Sequence, residues 1–403
     1  MKTYVLVGAG SRAKSMFARP LLTELKHAAK LCGLYDKNVI RSNLIREEFG
    51  GIPIYTDFSK MLQEVQPDTV IVASTDYTHH TYIIEALQAG CDVISEKPLT
   101  IDGEKCKAIM EAERKSGKTV TVTFNLRFVP YMMRIKELLQ EGAVGQVYHV
   151  DMEWFLDRSH GADYFRRWHG QLEYSGGLLV HKSTHHFDLI NWWIESHPQE
   201  IFAHGSRNFY GPTREERGER CLTCSYKSTC EFYFDIEQRE FNKKAYLEAE
   251  KEDGYIRDQC VFGDRINIYD TMSVNVKYES GVFLTYSLAA YSPYEGWRVT
   301  INGSKGRLEA QEVQSGPLAG EEVNAIRIFS SHGEVKTHSI SKAAGGHGGG
   351  DERLRSMLFV EGAEDPLGQQ AGSMAGAMSL IIGDAANRSI QGGQPVSVSG
   401  LLD

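Results

Sequence analysis

The run Tyr4-Val5-Leu6-Val7-Gly8-Ala9-Gly10-Ser11-Arg12-Ala13 governs how the rest of the chain is read. Tyr4 to Val7 are a short apolar series of β-formers, and a helical pattern follows from Lys14 to Ala29. Strand, tight turn and helix in that order form a phosphate cradle. Gly8 permits the turn, Gly10 lets the backbone approach a pyrophosphate, and the amides at Ser11 and Arg12 open the helix toward its charge. Ala13 stands at the third glycine position. The glycine loop alone is equally compatible with a plain turn.

The next apolar run, Leu31 to Tyr35, ends at Asp36. An acid at the end of the second strand takes the adenosine ribose hydroxyls and repels the extra phosphate of NADP, so Asp36 predicts NAD. Arg41, close behind it, keeps NADP open as a minor alternative. Helix and strand patterns then alternate through a buried-looking strand at Thr69 to Ala73, a helix from Thr81 to Ala89 and a strand at Asp92 to Ser95. This alternation predicts a doubly wound parallel Rossmann sheet with right-handed crossovers. Beyond the strand ends lie Ser74-Thr75-Asp76-Tyr77-Thr78-His79-His80 and Glu96-Lys97-Pro98, where α/β sheets bind ligands.

With 403 residues the chain exceeds the size of a usual single core, which predicts two domains. Its 44 Lys and Arg against 53 Asp and Glu give a formal charge of −9, which argues against a nucleic-acid partner. No segment has the length of a membrane span, and no secretory signal pattern opens the chain. Of seven cysteines, Cys32, Cys91 and Cys106 sit singly in ordinary elements, a pattern suited to a reducing cytoplasm.

The segments VLVGAGSRA, ASTDYTHH, ISEKPL and Thr123 to Phe128 (TFNLRF), read as the last Rossmann strand, together resemble the Gfo/Idh/MocA family of sugar-type oxidoreductases. The resemblance implies a Rossmann domain over 1–125 and a C-terminal α/β domain over 126–403. The second domain would carry a large open, mostly antiparallel sheet that supports a homo-oligomer, a dimer or tetramer. It also implies that Lys97 lies near the reacting carbon, and that Ser74, Thr75, His79, Glu96 and Asn125 line the cofactor. An ammonium at Lys97 can hydrogen-bond a substrate hydroxyl and stabilise the oxygen charge that develops as hydride leaves.

The segment Tyr174 to Asp188 resembles the family's Gly-rich entry to its catalytic helix, with His181 at the place of the usual Asp and His185 at that of the usual His. Residues four apart share a helical face, so both imidazoles are expected in one cleft. His185 is the expected base, His181 a second catalytic candidate, and His181 and Lys182 substrate ligands or tuning groups. A pair of core histidines is the alternative. A zinc-protease helix is disfavoured, because Lys182 stands where that motif needs Glu. Asp188 is expected to orient His185 or bind hydroxyls. Upstream, Tyr164, Arg166, Arg167, Trp168 and His169 suit a sugar ring, and His347 lies in a Gly-rich loop within reach of a substrate.

Cys221, Cys224, Cys230 and Cys260 fall in or near an apparent insertion over 211–263. Four thiolates would satisfy a structural zinc ion; an iron–sulfur cluster needs the same number, and free thiols are the alternative. The expected activity is hydride transfer between NAD and a secondary hydroxyl carbon, including C3, of a sugar, glycoside or cyclitol. A glycosidase acting through a transient keto-sugar and a non-catalytic NAD-binding regulator are the alternatives.

Overall fold

The computed structural model describes residues 1–317, 319–320 and 323–402. The N-terminal sheet has seven strands in the spatial order Ala371–Gly372, Val120–Val122, Asp92–Ser95, Thr69–Val72, Lys2–Val7, Ala29–Tyr35, Ile54–Tyr55. Strand order reverses beside Lys2–Val7, which pairs in parallel with both Thr69–Val72 and Ala29–Tyr35. A crevice opens outside the carboxyl ends of strands at such a switch point. Val5 to Val7 and Val70 to Val72 are almost fully buried because helices cover both faces of the sheet. Asn38, Asp57 and Asp102 cap the following helices by accepting from the amides of Arg41, Lys60 and Lys105.

Two local expectations are corrected. The first helical stretch covers only Ala13–Leu22, starting with a wide π-type turn over Ala13–Ala18. Pro20 lacks an amide, and the helix stops two residues later. The predicted strand Thr123–Phe128 is instead a 3-10 turn over Asn125–Phe128, following a strand of only Val120–Val122. Side-chain bonds from Asn125 to Asp351 and from Arg127 to Asp188 outweigh its β-propensity.

The second sheet has nine strands, in the order Val335–Ser341, Val323–Ser330, Gly306–Val313, Gly296–Gly303, Val147–Asp157, Phe283–Ser292, Thr271–Tyr278, Pro198–Ser206, Val396–Ser397. Val147–Asp157 and Phe283–Ser292 pair in parallel, and the other recorded pairs are antiparallel. Its strands alternate buried and exposed residues, as in Thr271–Tyr278. Helices Pro130–Gln140, Thr184–Ile194 and Ser373–Gly392 contribute Ile135, Ile190 and Ile381 to the core with Val150, Met152 and Val274.

The two halves are laced together. Ala371–Gly372 pairs antiparallel with Val122 and Thr121 at the edge of the first sheet. Helix Gly350–Phe359 buries Leu354 and Phe359 in the first domain's core, with Phe359 edge-on to Tyr4. No helix among the described residues is long and apolar enough to cross a membrane.

Candidate active site

At the first strand end, Gly8 has a φ of +104°, and a Cβ there would lie 2.4 Å from the Ala73 carbonyl oxygen. The loop is thus pressed against the neighbouring strand end, where no side chain fits. A Cβ on Gly10 would meet nothing within 4 Å, so that backbone faces open space. The Asp36 carboxylate accepts from the amides of Ala9 at 2.6 Å and Asn38 at 2.7 Å, fixing the loop to the second strand. Burial pushes the Asp36 carboxyl up, opposed by the Asn38 amide and Arg41. Each carboxylate oxygen keeps a further lone pair for a hydroxyl donor.

Gly8, Gly10, Ser11, Arg12 and Asp36 line one cavity of about 1030 Å³. So do Ser74, Thr75, His79, Glu96, Lys97 and Asn125. Asn125 Oδ1 is buried without a partner in that wall. An open glycine backbone, an acid at the end of the second strand and an orphaned amide oxygen fit a dinucleotide. The Arg12 guanidinium, at the cavity wall, bonds Glu96 at 2.7 Å and Asp351 at 3.1 Å. His79 is wedged between strand ends, its ring nitrogens 2.9 Å from the Pro98 carbonyl and 3.2 Å from that of Ser74.

Lys97, His181, Lys182 and His185 meet in the same cavity. The expected single helix is divided: Leu178–His181 and Thr184–Ile194 flank a break at Lys182 and Ser183. The Ser183 amide reaches back to the Leu178 carbonyl, and its hydroxyl pairs with Tyr286, which fixes the break. Lys97 Nζ donates to the His181 carbonyl at 3.1 Å. Burial lowers the Lys97 pKa to about 8, against the opposing pull of Asp76 and Glu96. His181 Nδ1 lies 2.5 Å from Asp76 Oδ2. His185 Nδ1 is buried with no partner. Burial, reinforced by Lys97 and Lys182, holds His185 well below the ordinary histidine range, so the ring is neutral.

Tyr164 and Trp168 line this end, both edge-on to His181. Trp168 stacks on His169 at 3.6 Å. Lys182 Nζ lies 5.1 Å from the ring of Trp154, a cavity residue from the second sheet. His347, half exposed, sits at the cavity wall with Nδ1 2.9 Å from Asp351.

Other expectations are corrected. Asp188 lies outside the cavity lining, its carboxylate paired with Arg127 at 2.7 and 2.8 Å, one helical turn beyond His185. Arg166 points away: it bonds the Phe232 carbonyl at 2.6 Å and Cys221 Sγ at 3.0 Å, while its neighbour Arg167 faces the cavity. Cys221, Cys224, Cys230 and Cys260 do border one small separate pocket. Among the described residues, however, no three His, Cys, Asp or Glu side chains are grouped to hold a metal ion. Cys221 and Cys230 instead face the guanidinium groups of Arg166 and Arg214 at 3.0 and 3.2 Å, and burial pushes the Cys221 thiol up. The expected zinc or iron–sulfur site is therefore not supported.

Two contributors escaped the sequence reading. Asp76 lay in a quoted segment, but only folding pairs it with His181, 105 residues away. Asp351 gathers Arg12, Asn125 and His347 at the domain junction. An acid opening a helix after a glycine run was its one visible signal.

Residues 2–124 match the oxidoreductase family's NAD-binding Rossmann fold, and residues 136–398 match its C-terminal α/β domain. YteT of Bacillus subtilis (strain 168) is 39% identical over 426 residues, covering 100% of this chain and 99% of that protein. D-glucoside 3-dehydrogenase of Escherichia coli (strain K12) is 29% identical over 143 residues, which are 36% of this chain and 40% of that enzyme. The WlbA dehydrogenase from Bordetella pertussis, solved with NADH and UDP-GlcNAcA, shares the fold with a TM-score of 0.67 at 20% identity over 98% of each chain. A switch-point dinucleotide cradle joined to a second sheet domain, with both halves matched, makes this chain a member of the Gfo/Idh/MocA oxidoreductase family, a family of dehydrogenases.

Proposed function

We propose that this protein is an NAD-dependent dehydrogenase that moves hydride to or from a secondary alcohol carbon of a sugar, glycoside or cyclitol. The observation that carries the reading is one continuous cavity, with Gly10 and Asp36 at one end and Lys97, His181 and His185 at the other. When bound, the nicotinamide supplies a hydride acceptor. The protein's own residues handle the proton and the oxygen charge. His185, neutral and in the cavity wall, takes the hydroxyl proton. The Lys97 ammonium, already aligned by the His181 carbonyl, hydrogen-bonds the oxygen on which charge develops. Asp76 holds His181 in place. Tyr164 and Trp168 offer apolar surface for a ring, and Glu295 and Glu312 offer acceptors for its hydroxyls.

The dehydrogenase names of relatives acting on D-glucoside and inositol support this substrate class. A panel of sugars, glycosides and cyclitols, assayed for NADH formation by absorbance, tests the reading. Formation with at least one member that is lost in Lys97→Met is expected. Aglycone release without net NADH would instead indicate a keto-sugar glycosidase, and NADH binding with no turnover on any member would indicate a regulator.

A further inference from the structure

The inserted segment after Pro198–Ser206 crosses back to the first domain and walls the cofactor end of the cavity. Its helical stretch Glu240–Asp253 places Tyr246 and Asp253 in the lining, followed by Gly254 and Tyr255. Three contacts fasten it to the helix after Asp36. Asn38 Nδ2 donates to the Ala249 carbonyl at 2.8 Å, Arg41 Nε donates to that of Ala245 at 3.1 Å, and Arg41 Nη2 pairs with Asp253 Oδ2. The Arg41 guanidinium lies 5.9 Å from the ring of Tyr246 and 5.8 Å from that of Tyr255. The Arg41 and Asp253 side chains are only 11% and 3% exposed, so this ion pair is shielded from competing water.

We infer that Asp253, contributed by the insertion, is a second determinant of NAD over NADP. Discrimination between the two turns on one phosphate at the adenosine ribose, which requires a free cation beside the ribose-binding acid. Arg41 is the buried cation in that place, and Asp253 holds its fork while adding a carboxylate to the same wall as Asp36. Lys37, which also lines the cavity, is exposed. A phosphate arriving there meets the Asp36 carboxylate and an arginine already paired with Asp253. The specificity set thus combines a residue of the Rossmann strand with one from a segment two hundred residues later.

This inference rests on the NAD reading, and its test separates the two. NADH and NADPH are titrated by fluorescence into the full chain, wild type, Asp253→Asn and Asp253→Asn/Arg41→Ala, with thermal melts confirming that each is folded. Asp253→Asn is near-isosteric and frees the guanidinium. The expected result is a wild type that prefers NADH and an Asp253→Asn variant whose NADPH-to-NADH affinity ratio rises about tenfold or more, the scale of a charge-assisted bond. The double variant returns the ratio toward wild type. A folded Asp253→Asn variant with an unchanged ratio, or a gain that persists without Arg41, overturns the inference while leaving the NAD reading standing. A wild type that binds neither nucleotide, or prefers NADPH, overturns both.

Discussion

His181 Nδ1 stands 2.5 Å from Asp76 Oδ2, joining the second domain's Leu178–His181 segment to a strand end of the first. Burial dominates at both partners, pushing Asp76 up and His181 down, so the pair is held as a hydrogen bond with little separated charge. Asp76, itself in the cavity lining, is proposed to act by positioning His181. Asp76→Asn is expected to lower kcat about 100-fold, the scale of a misplaced reacting group, with NADH affinity and KM nearly unchanged. Steady-state kinetics on a substrate found by the panel, with an NADH titration, checks this split.

In the proposed mechanism Lys97 should set the alkaline limit. Its working form is the cation, present below a pKa of about 8 and lost above it, whereas His185 is already neutral throughout the neutral range. The oxidation rate should therefore hold steady around neutrality and decline as pH rises through about 8. Lys97→Arg keeps a cation and should move that decline upward, while Lys97→Met should lose about 100- to 1000-fold in kcat. A pH–rate profile of the three proteins decides the matter, and a decline unmoved in Lys97→Arg would belong to another group.

Asp188 was expected at the substrate and instead neutralises Arg127 in the core. Removing one partner of a buried pair leaves the other uncompensated, so Asp188→Asn should cost about 3–5 kcal/mol of folding free energy. Urea denaturation measures that loss. A substrate ligand would show the opposite pattern, with stability kept and KM raised.

Gly8→Ala forces a side chain into a φ of +104° and a Cβ to 2.4 Å from the Ala73 carbonyl oxygen. The backbone strain alone is about 1–3 kcal/mol. A lower melting temperature together with weaker NADH binding is expected, because the same loop forms the cradle. Thermal melts and an NADH titration read the two effects separately.

The first domain was legible because parallel strands buried on both faces are written as unbroken apolar runs, such as Val70-Ile71-Val72, ending in polar residues. Asp36 could be read for the same reason, since its place follows from one strand. Asp351 could not, because Arg12 meets it from 339 residues away. Nor does pattern alone rank neighbours within a cluster. Arg166 and Arg167 diverge by one residue's rotation at a helix end, and only Arg167 reaches the cavity. Asp188 shares a helix with His185 but lies three residues on, roughly 4.5 Å farther along its axis. Cysteine spacing brought four thiols to one pocket, but arginines placed by tertiary packing became partners of two of them.

The short strand Ala371–Gly372 closes an edge of the N-terminal sheet from within the second domain's part of the sequence. During synthesis, Val120–Val122 emerges some 250 residues before the segment that pairs with it, leaving its hydrogen-bonding edge open meanwhile. The dinucleotide half of this protein can thus begin to fold on the ribosome but is sealed only once the second domain's segment has followed. A truncated N-terminal fragment would retain that open edge and lack the Leu354 and Phe359 side chains that complete its core.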